Sequence, residues 1–243
     1  VLQTYLTVMY NDTVKMADAL PLDDMLLHRM KHNYTTIMEK NGGEEFCKQD
    51  EMEEFYQHGL LILDWFKKKR AMYFSKKSCE LVGIEVPINY ELSNGIKFIG
   101  YMDIVLYDTV RDRYKIIDIK TSTMGWNKYQ KADKNKTDQL LLYKKFYGAE
   151  NNISLDKIDV EYFIVKRKLY EKLDFPQRRV QLFSPASGKP SVNKVTNNLN
   201  QFINESFISG EYNLKHTYIK RPSKKNCRWC VFNQTEHCDS GVK

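Results

Sequence analysis

Hydrophobic residues recur at helical spacing through the first third of the chain. Leu2, Leu6, Met9 and Tyr10 predict a helix that breaks at Asn11-Asp12. Pro21-Leu22-Asp23-Asp24 reads as a second helix start, with Leu26, Leu27, Met30, Tyr34 and Ile37 as its apolar stripe and Gly42-Gly43 as its stop. A third helix is predicted over 44–69, burying Phe46, Met52, Phe55, Tyr56, Leu60, Ile62, Leu63 and Phe66. At Leu81 the period drops from 3.6 to 2. Ile84, Val86, Ile88 and Tyr90 alternate with Glu85, Pro87, Asn89 and Glu91, the pattern of a half-buried strand. Ser93-Asn94-Gly95 is a turn, 96–107 the next strand, 108–113 a polar turn and 114–120 a third strand. A lysine-rich loop leads to a helix over 137–147, followed by strands at 158–166 and 178–183, a helix over 192–208 and a basic, irregular tail. Helices, a meander, then further helix and strand predict a mixed α/β domain. Three regions follow from this pattern: a helical segment over 1–80, a core over 81–212 and a tail over 213–243.

Length and composition narrow the class. The 243 residues suit one large domain, or a domain with an appendage, and a chain of this size needs no disulfide or metal staple to fold. With 42% hydrophobic, 13% aromatic and 28% charged residues it is too apolar for a disordered chain and too charged for a membrane protein. No apolar run approaches the ~20 residues of a membrane span, and the first ten residues lack a signal-peptide pattern. Five cysteines, an odd number, argue against a secreted disulfide framework. A soluble, intracellular protein of net charge +7 is expected.

The candidate chemistry comes from strand register. Asp118 and Lys120, two apart, share one face of their strand, with Ile117 and Ile119 turned to the core. If the polar turn over 108–113 closes an unbulged hairpin, Asp103 lies opposite Asp118. The Ser93-Asn94-Gly95 turn in the same way sets Glu85 opposite Asp103. Three carboxylates then form a row with Cβ atoms ~4.5–5.5 Å apart, which like charge disfavours. A bound Mg²⁺ or Mn²⁺ resolves the conflict, since hard divalent cations take such oxygens. A bland alternative is that the acids merely solvate strand ends.

These residues resemble the PD-(D/E)XK nuclease superfamily, and within it the RecB-like exonucleases. Gly100-Tyr101-Met102-Asp103 is similar to the second motif, Asp118-Ile119-Lys120-Thr121-Ser122 to the third, and Gln139-Leu140-Leu141-Leu142-Tyr143 to the Gln-x-x-x-Tyr motif of the group. The resemblance implies a restriction-endonuclease-like mixed β-sheet core flanked by helices. Asp103, Asp118 and the Ile119 carbonyl would bind the metal, Glu85 would support it, and Lys120 would position or activate the attacking water. Gln139 and Tyr143 would touch the DNA backbone or the lysine. It further implies a metal-dependent DNA exonuclease of bacterial or phage recombination and repair, cytoplasmic in its host. An endonuclease or nickase of the same fold, or a silent DNA-binding relative, is the alternative. Seven lysines against two aspartates over 120–145, among them Lys128, Lys131, Lys134 and Lys136, fit a phosphate-binding flank. Trp126 and Tyr129 interleave with them as candidates for stacking on unpaired bases.

Cys227-Arg228-Trp229-Cys230, with Cys238 beyond, is a second motif. Two thiolates at this spacing can share a metal. The resemblance implies a [4Fe-4S] cluster completed by a distant cysteine. Zinc, with His237 as a fourth ligand, or free thiols compete with it, and Cys47 and Cys79 read as ordinary residues. The family also carries a histidine on a helix before the catalytic strands. His28, His32 and His58 lie in predicted helices, but none follows the family's approach to it. The chain opens with Val1 in mid-pattern, without a cap. The expectation is that residues ahead of it supply a histidine and a fourth cysteine.

Overall fold

The structure is a computed structural model, and it describes every residue except 171–173, 218 and 243. Two compact units are present: residues 1–92 with 97–199, and residues 93–96 with 200–243.

In the first unit the helices are α1 (Leu2–Asn11), α2 (Val14–Asp18), α3 (Leu22–Lys40) and α4 (Gln49–Lys69). After them come β1 (Cys79–Glu91), β2 (Lys97–Asp108) and β3 (Arg113–Ser122), then α5 (Lys128–Ala132), α6 (Lys134–Glu150), β4 (Ile158–Lys166), β5 (Val180–Phe183) and α7 (Lys189–Ser206), whose last residues pass into the second unit. The strands form one mixed sheet in chain order. β1–β2, β2–β3 and β4–β5 are antiparallel and β3–β4 is parallel, joined by the α5–α6 crossover.

Each face of the sheet has its own core. Tyr5, Leu6 and Met9 of α1, with Leu22 of α3 and Leu63 and Phe66 of α4, pack on Ile104, Leu106, Ile117, Phe163 and Val165. On the opposite face Leu140, Tyr143, Phe146 and Tyr147 of α6 cover Ile88, Met102, Val105, Ile116, Val160 and Ile164. Full burial of one such side chain contributes ~1.5–3 kcal/mol, so a sheet covered on both sides is held by its helices. Among the described residues no helix is long and apolar enough to cross a membrane.

Several predicted boundaries move. The third helix begins at Gln49, not 44, because the Lys48 N–H donates to Glu51 Oε2 at 3.0 Å and fixes the start there. Phe46, left ahead of the helix, is exposed, and Phe55, within it, is exposed as well rather than buried as expected. Thr13 caps the unpredicted α2 by accepting from Met16 N. The lysine-rich loop holds α5, capped by Asn127, and α6 starts three residues early, capped by Asp133. In the second unit the tail contains a two-residue hairpin, β6 (Phe207–Ile208) with β7 (Glu211–Tyr212), and a short α8 (Lys224–Cys227).

Candidate active site

The two hairpins fix where the acids fall. β1 and β2 pair Ile84 with Ile104 and Val86 with Met102, which leaves Glu85 across from Asp103. β2 and β3 pair Ile104 with Ile117, and the next step along this register is Asp103 with Asp118. The ladder stops at that step. Asp103 Oδ2 instead accepts the Ile119 N–H at 2.6 Å, taking over a bond that strand pairing would have made. Met102 packs in the α6-side core and Ile104 in the other, although strict alternation puts both on one face, so β2 is irregular at Asp103. Glu85 has φ 50°, the left-handed region that a non-glycine residue rarely occupies, and Gln3 Nε2 of α1 donates to its Oε1.

The row of acids is therefore in register but divided between two sides. Glu85, Asp103, Ile119 and Thr121 line a cleft of about 480 Å³ under α1, α3 and α4. Asp118 and Lys120 project on the face of β3 that carries Ile116, toward α6. Lys120 Nζ lies 2.7 Å from Asp118 Oδ2 and 3.5 Å from Gln139 Oε1. Gln139 Nε2 donates to the Tyr143 hydroxyl at 2.9 Å, so these four side chains form one connected line. Tyr143 packs over Gly100, where a Cβ would come within 2.7 Å of its ring.

Electrostatics mark the acids as strained. Burial, opposed by the Ile119 N–H and reinforced by Asp118 and Glu85, raises the Asp103 carboxyl to about 6. Burial also raises Asp118, against the pull of Lys120. Asp118 is 3% exposed, and its Oδ2 has no hydrogen-bond donor: the Lys120 ammonium is at ion-pair distance but lacks hydrogen-bond direction. Against three carboxylates stand the Lys120 ammonium and the Arg29 guanidinium of the cleft wall, which leaves one negative charge in excess. In donor type the buried carboxylates and the Ile119 carbonyl suit a hard divalent cation, but one ion would be shared only if Asp103 and Asp118, now on two sides, turned toward each other. Among the described residues no three His, Cys, Asp or Glu side chains are yet gathered at metal-binding separation.

One expectation needs correction. Trp126 is 8% exposed and packs on Tyr162 and Phe183 beneath the Lys136 ammonium, so its ring is not offered to bases; Tyr129 is 74% exposed, with the Lys128 ammonium over its ring. Its burial follows from Gln181, which bonds both the Trp126 N–H and carbonyl and draws the loop onto the sheet. The tail thiols are not assembled: Cys227 is buried, Cys230 exposed and Cys238 half-buried, and no three-ligand group forms there among the described residues. The cluster expectation finds no support in this arrangement of the described residues.

Lys128 and Lys134 are exposed and Lys131 and Lys136 half-buried, whereas Lys144 of the same stretch is buried. Gln3, Arg29 and Asn33 line the cleft with Glu85 without any sequence signal that marks them. Their place arises only when α1 and α3 pack over the sheet, and no local pattern carries that. His58 lines an adjoining hollow with Thr121, Ser122 and Arg167, close to the site although it lacks the expected sequence context.

Comparison with known proteins bears on the family. None of the curated proteins matches the sequence. Among solved structures, the crystal structure of a "putative exonuclease" from Eubacterium rectale is similar at 12% identity and a TM-score of 0.42, over 86% of this chain and 79% of that one. So loose a likeness carries no weight by itself. The family model of the PD-(D/E)XK nuclease superfamily, in contrast, matches residues 28–235, a span holding the sheet, the divided acids and α6. On that match, and with a helix-flanked mixed sheet of the restriction-endonuclease kind, the chain belongs to the PD-(D/E)XK nuclease superfamily.

Proposed function

We propose that the protein is a metal-dependent deoxyribonuclease that hydrolyses phosphodiester bonds at DNA ends. The observation that carries this reading is the line Asp118–Lys120–Gln139–Tyr143, set beside Asp103 at the point where β2 and β3 part. Asp103, Asp118 and the Ile119 carbonyl would hold Mg²⁺ or Mn²⁺, and Glu85 would support it from β1. When bound, the ion supplies Lewis acidity toward the phosphate and toward water.

The chain's own groups do the rest. Lys120 places a positive charge where the phosphate gains negative charge, at a position fixed by Asp118 on one side and Gln139 on the other. Tyr143, bonded to Gln139, holds that amide in orientation. Gln3 steers Glu85. Lys128, Lys131, Lys134 and Lys136 take backbone phosphates, and Tyr129 offers a ring to an unpaired base. The preference for strand ends over a nick rests on the family resemblance of Gln139 and Tyr143. The separated tail thiols enter no step.

Linear and covalently closed circular DNA incubated with Mg²⁺ test the reading. Loss of the linear molecule alone is expected, and none in chelator. Cleavage of the circle would favour an endonuclease, and no cleavage of either would remove the enzymatic reading.

A further inference from the structure

Across α6 from Gln139 and Tyr143 lies a second cavity, of about 330 Å³, that shares no lining residue with the cleft of Glu85 and Asp103. Its floor is apolar, built from Leu141 of α6, Phe183 at the end of β5, Pro185, and Val195 of α7. Its rim carries Lys131, Lys134 and Lys194 against the single carboxylate of Asp138, an excess of two positive charges. The Lys131 ammonium lies over the Phe183 ring, 5.7 Å from its centre, and Lys134 and Lys194 both face the Asp138 carboxylate electrostatically. One carboxylate between two ammonium groups, with the third over a ring, leaves the rim short of negative charge, which an anion would supply.

The cavity is built before any ligand arrives. The buried Lys144 donates to the Ser187 carbonyl at 2.9 Å and ties down the loop that carries Pro185. The Val192 N–H then bonds the Gly188 carbonyl as α7 begins. Lys134 is the first residue of α6 and Ser191 the third of α7, so two long helices open onto the rim with their positive ends. A wall fixed in advance lowers the ordering cost of binding.

An inorganic anion would leave the floor unused, and an apolar molecule would leave the rim short of negative charge. We infer that this cavity is a binding site for a nucleoside monophosphate unit, with the phosphate among Lys131, Lys134 and Lys194 and the base on Phe183 and Leu141. The Asp138 carboxylate is placed to accept from an exocyclic amino group. The unit comes either from the substrate strand, which rests on the nuclease reading above, or from a free mononucleotide, which does not.

Calorimetric titration with dAMP in chelator, so that no metal recruits it to the cleft, tests the site. Wild type and Asp118→Asn are expected to bind alike, and Lys134→Ala/Lys194→Ala to bind at least tenfold more weakly with an unchanged melting curve. Inorganic phosphate should bind wild type at least tenfold more weakly than dAMP. The inference is overturned if dAMP gives no binding, if phosphate binds equally well, if the double variant binds normally, or if Asp118→Asn abolishes binding. A nuclease-resistant single-stranded oligonucleotide that displaces dAMP assigns the site to the strand, and failure to displace assigns it to free nucleotide. Cleavage is read in a separate assay, so an inactive protein that still binds dAMP defeats the nuclease reading and leaves this one standing.

Discussion

Asp103 shows how much one residue's surroundings decide. Its carboxylate is desolvated, faces two further acids and has one backbone N–H in compensation, which raises it to about 6. A raised acid binds its proton more tightly in the folded than in the unfolded chain. Metal-free stability should therefore fall as pH climbs from about 4 through 6. Melting curves in chelator are expected to show that fall in wild type and a flatter profile in Asp103→Asn; identical profiles would mean that Asp103 is not desolvated. At the same scale, Gln3→Ala removes the donor to Glu85 from a residue already at φ 50°. Cleavage should drop by ~3- to 30-fold, about 0.7–2 kcal/mol, with DNA affinity unchanged in a binding assay. The acids and Lys120 were legible in the sequence because strand period and hairpin register are local rules. Gln3 and Trp126 were not: the place of one depends on helix packing and the burial of the other on a distant glutamine.

Elements, rather than residues, hold the line of Asp118, Lys120, Gln139 and Tyr143 together. α6 packs its Tyr143 against the bare backbone of Gly100 on β2, at a distance that admits no methyl group. Gly100→Ala is expected to push Tyr143 away from Gln139 and to cost ~1–3 kcal/mol as an overpacked contact. For a chain of this size that is a loss of roughly 2–12 °C in melting temperature, together with reduced cleavage. An unchanged melting temperature would contradict the packing. The hairpin registers could be predicted because their turns are short and carry Asn-Gly or Asp-rich signals. The divided row of acids could not, because it stems from the irregularity at Asp103, where Met102 and Ile104 join different cores. Helix starts at Gln49 and Lys134 were misjudged for a related reason: a side-chain cap overrode the hydrophobic period.

For the whole molecule, the α/β class and the helical covering followed from the change of period at Leu81, and the family match spans the same elements. What could not be read was which cavities the packed helices leave. If Asp103 and Asp118 share a divalent ion, Mg²⁺ at about 100 times its Kd should add ~2.7 kcal/mol. That is a rise of roughly 5–10 °C in melting temperature, absent in Asp103→Asn/Asp118→Asn. The most direct test is the cleavage rate of Asp118→Asn on linear DNA with Mg²⁺, measured beside its DNA affinity. The account predicts a loss of at least ~100-fold in rate, about 2.7 kcal/mol, with affinity equal to or above wild type because one buried negative charge is gone. A variant that retained more than about a tenth of the wild-type rate would contradict the assignment of Asp118 to the catalytic centre.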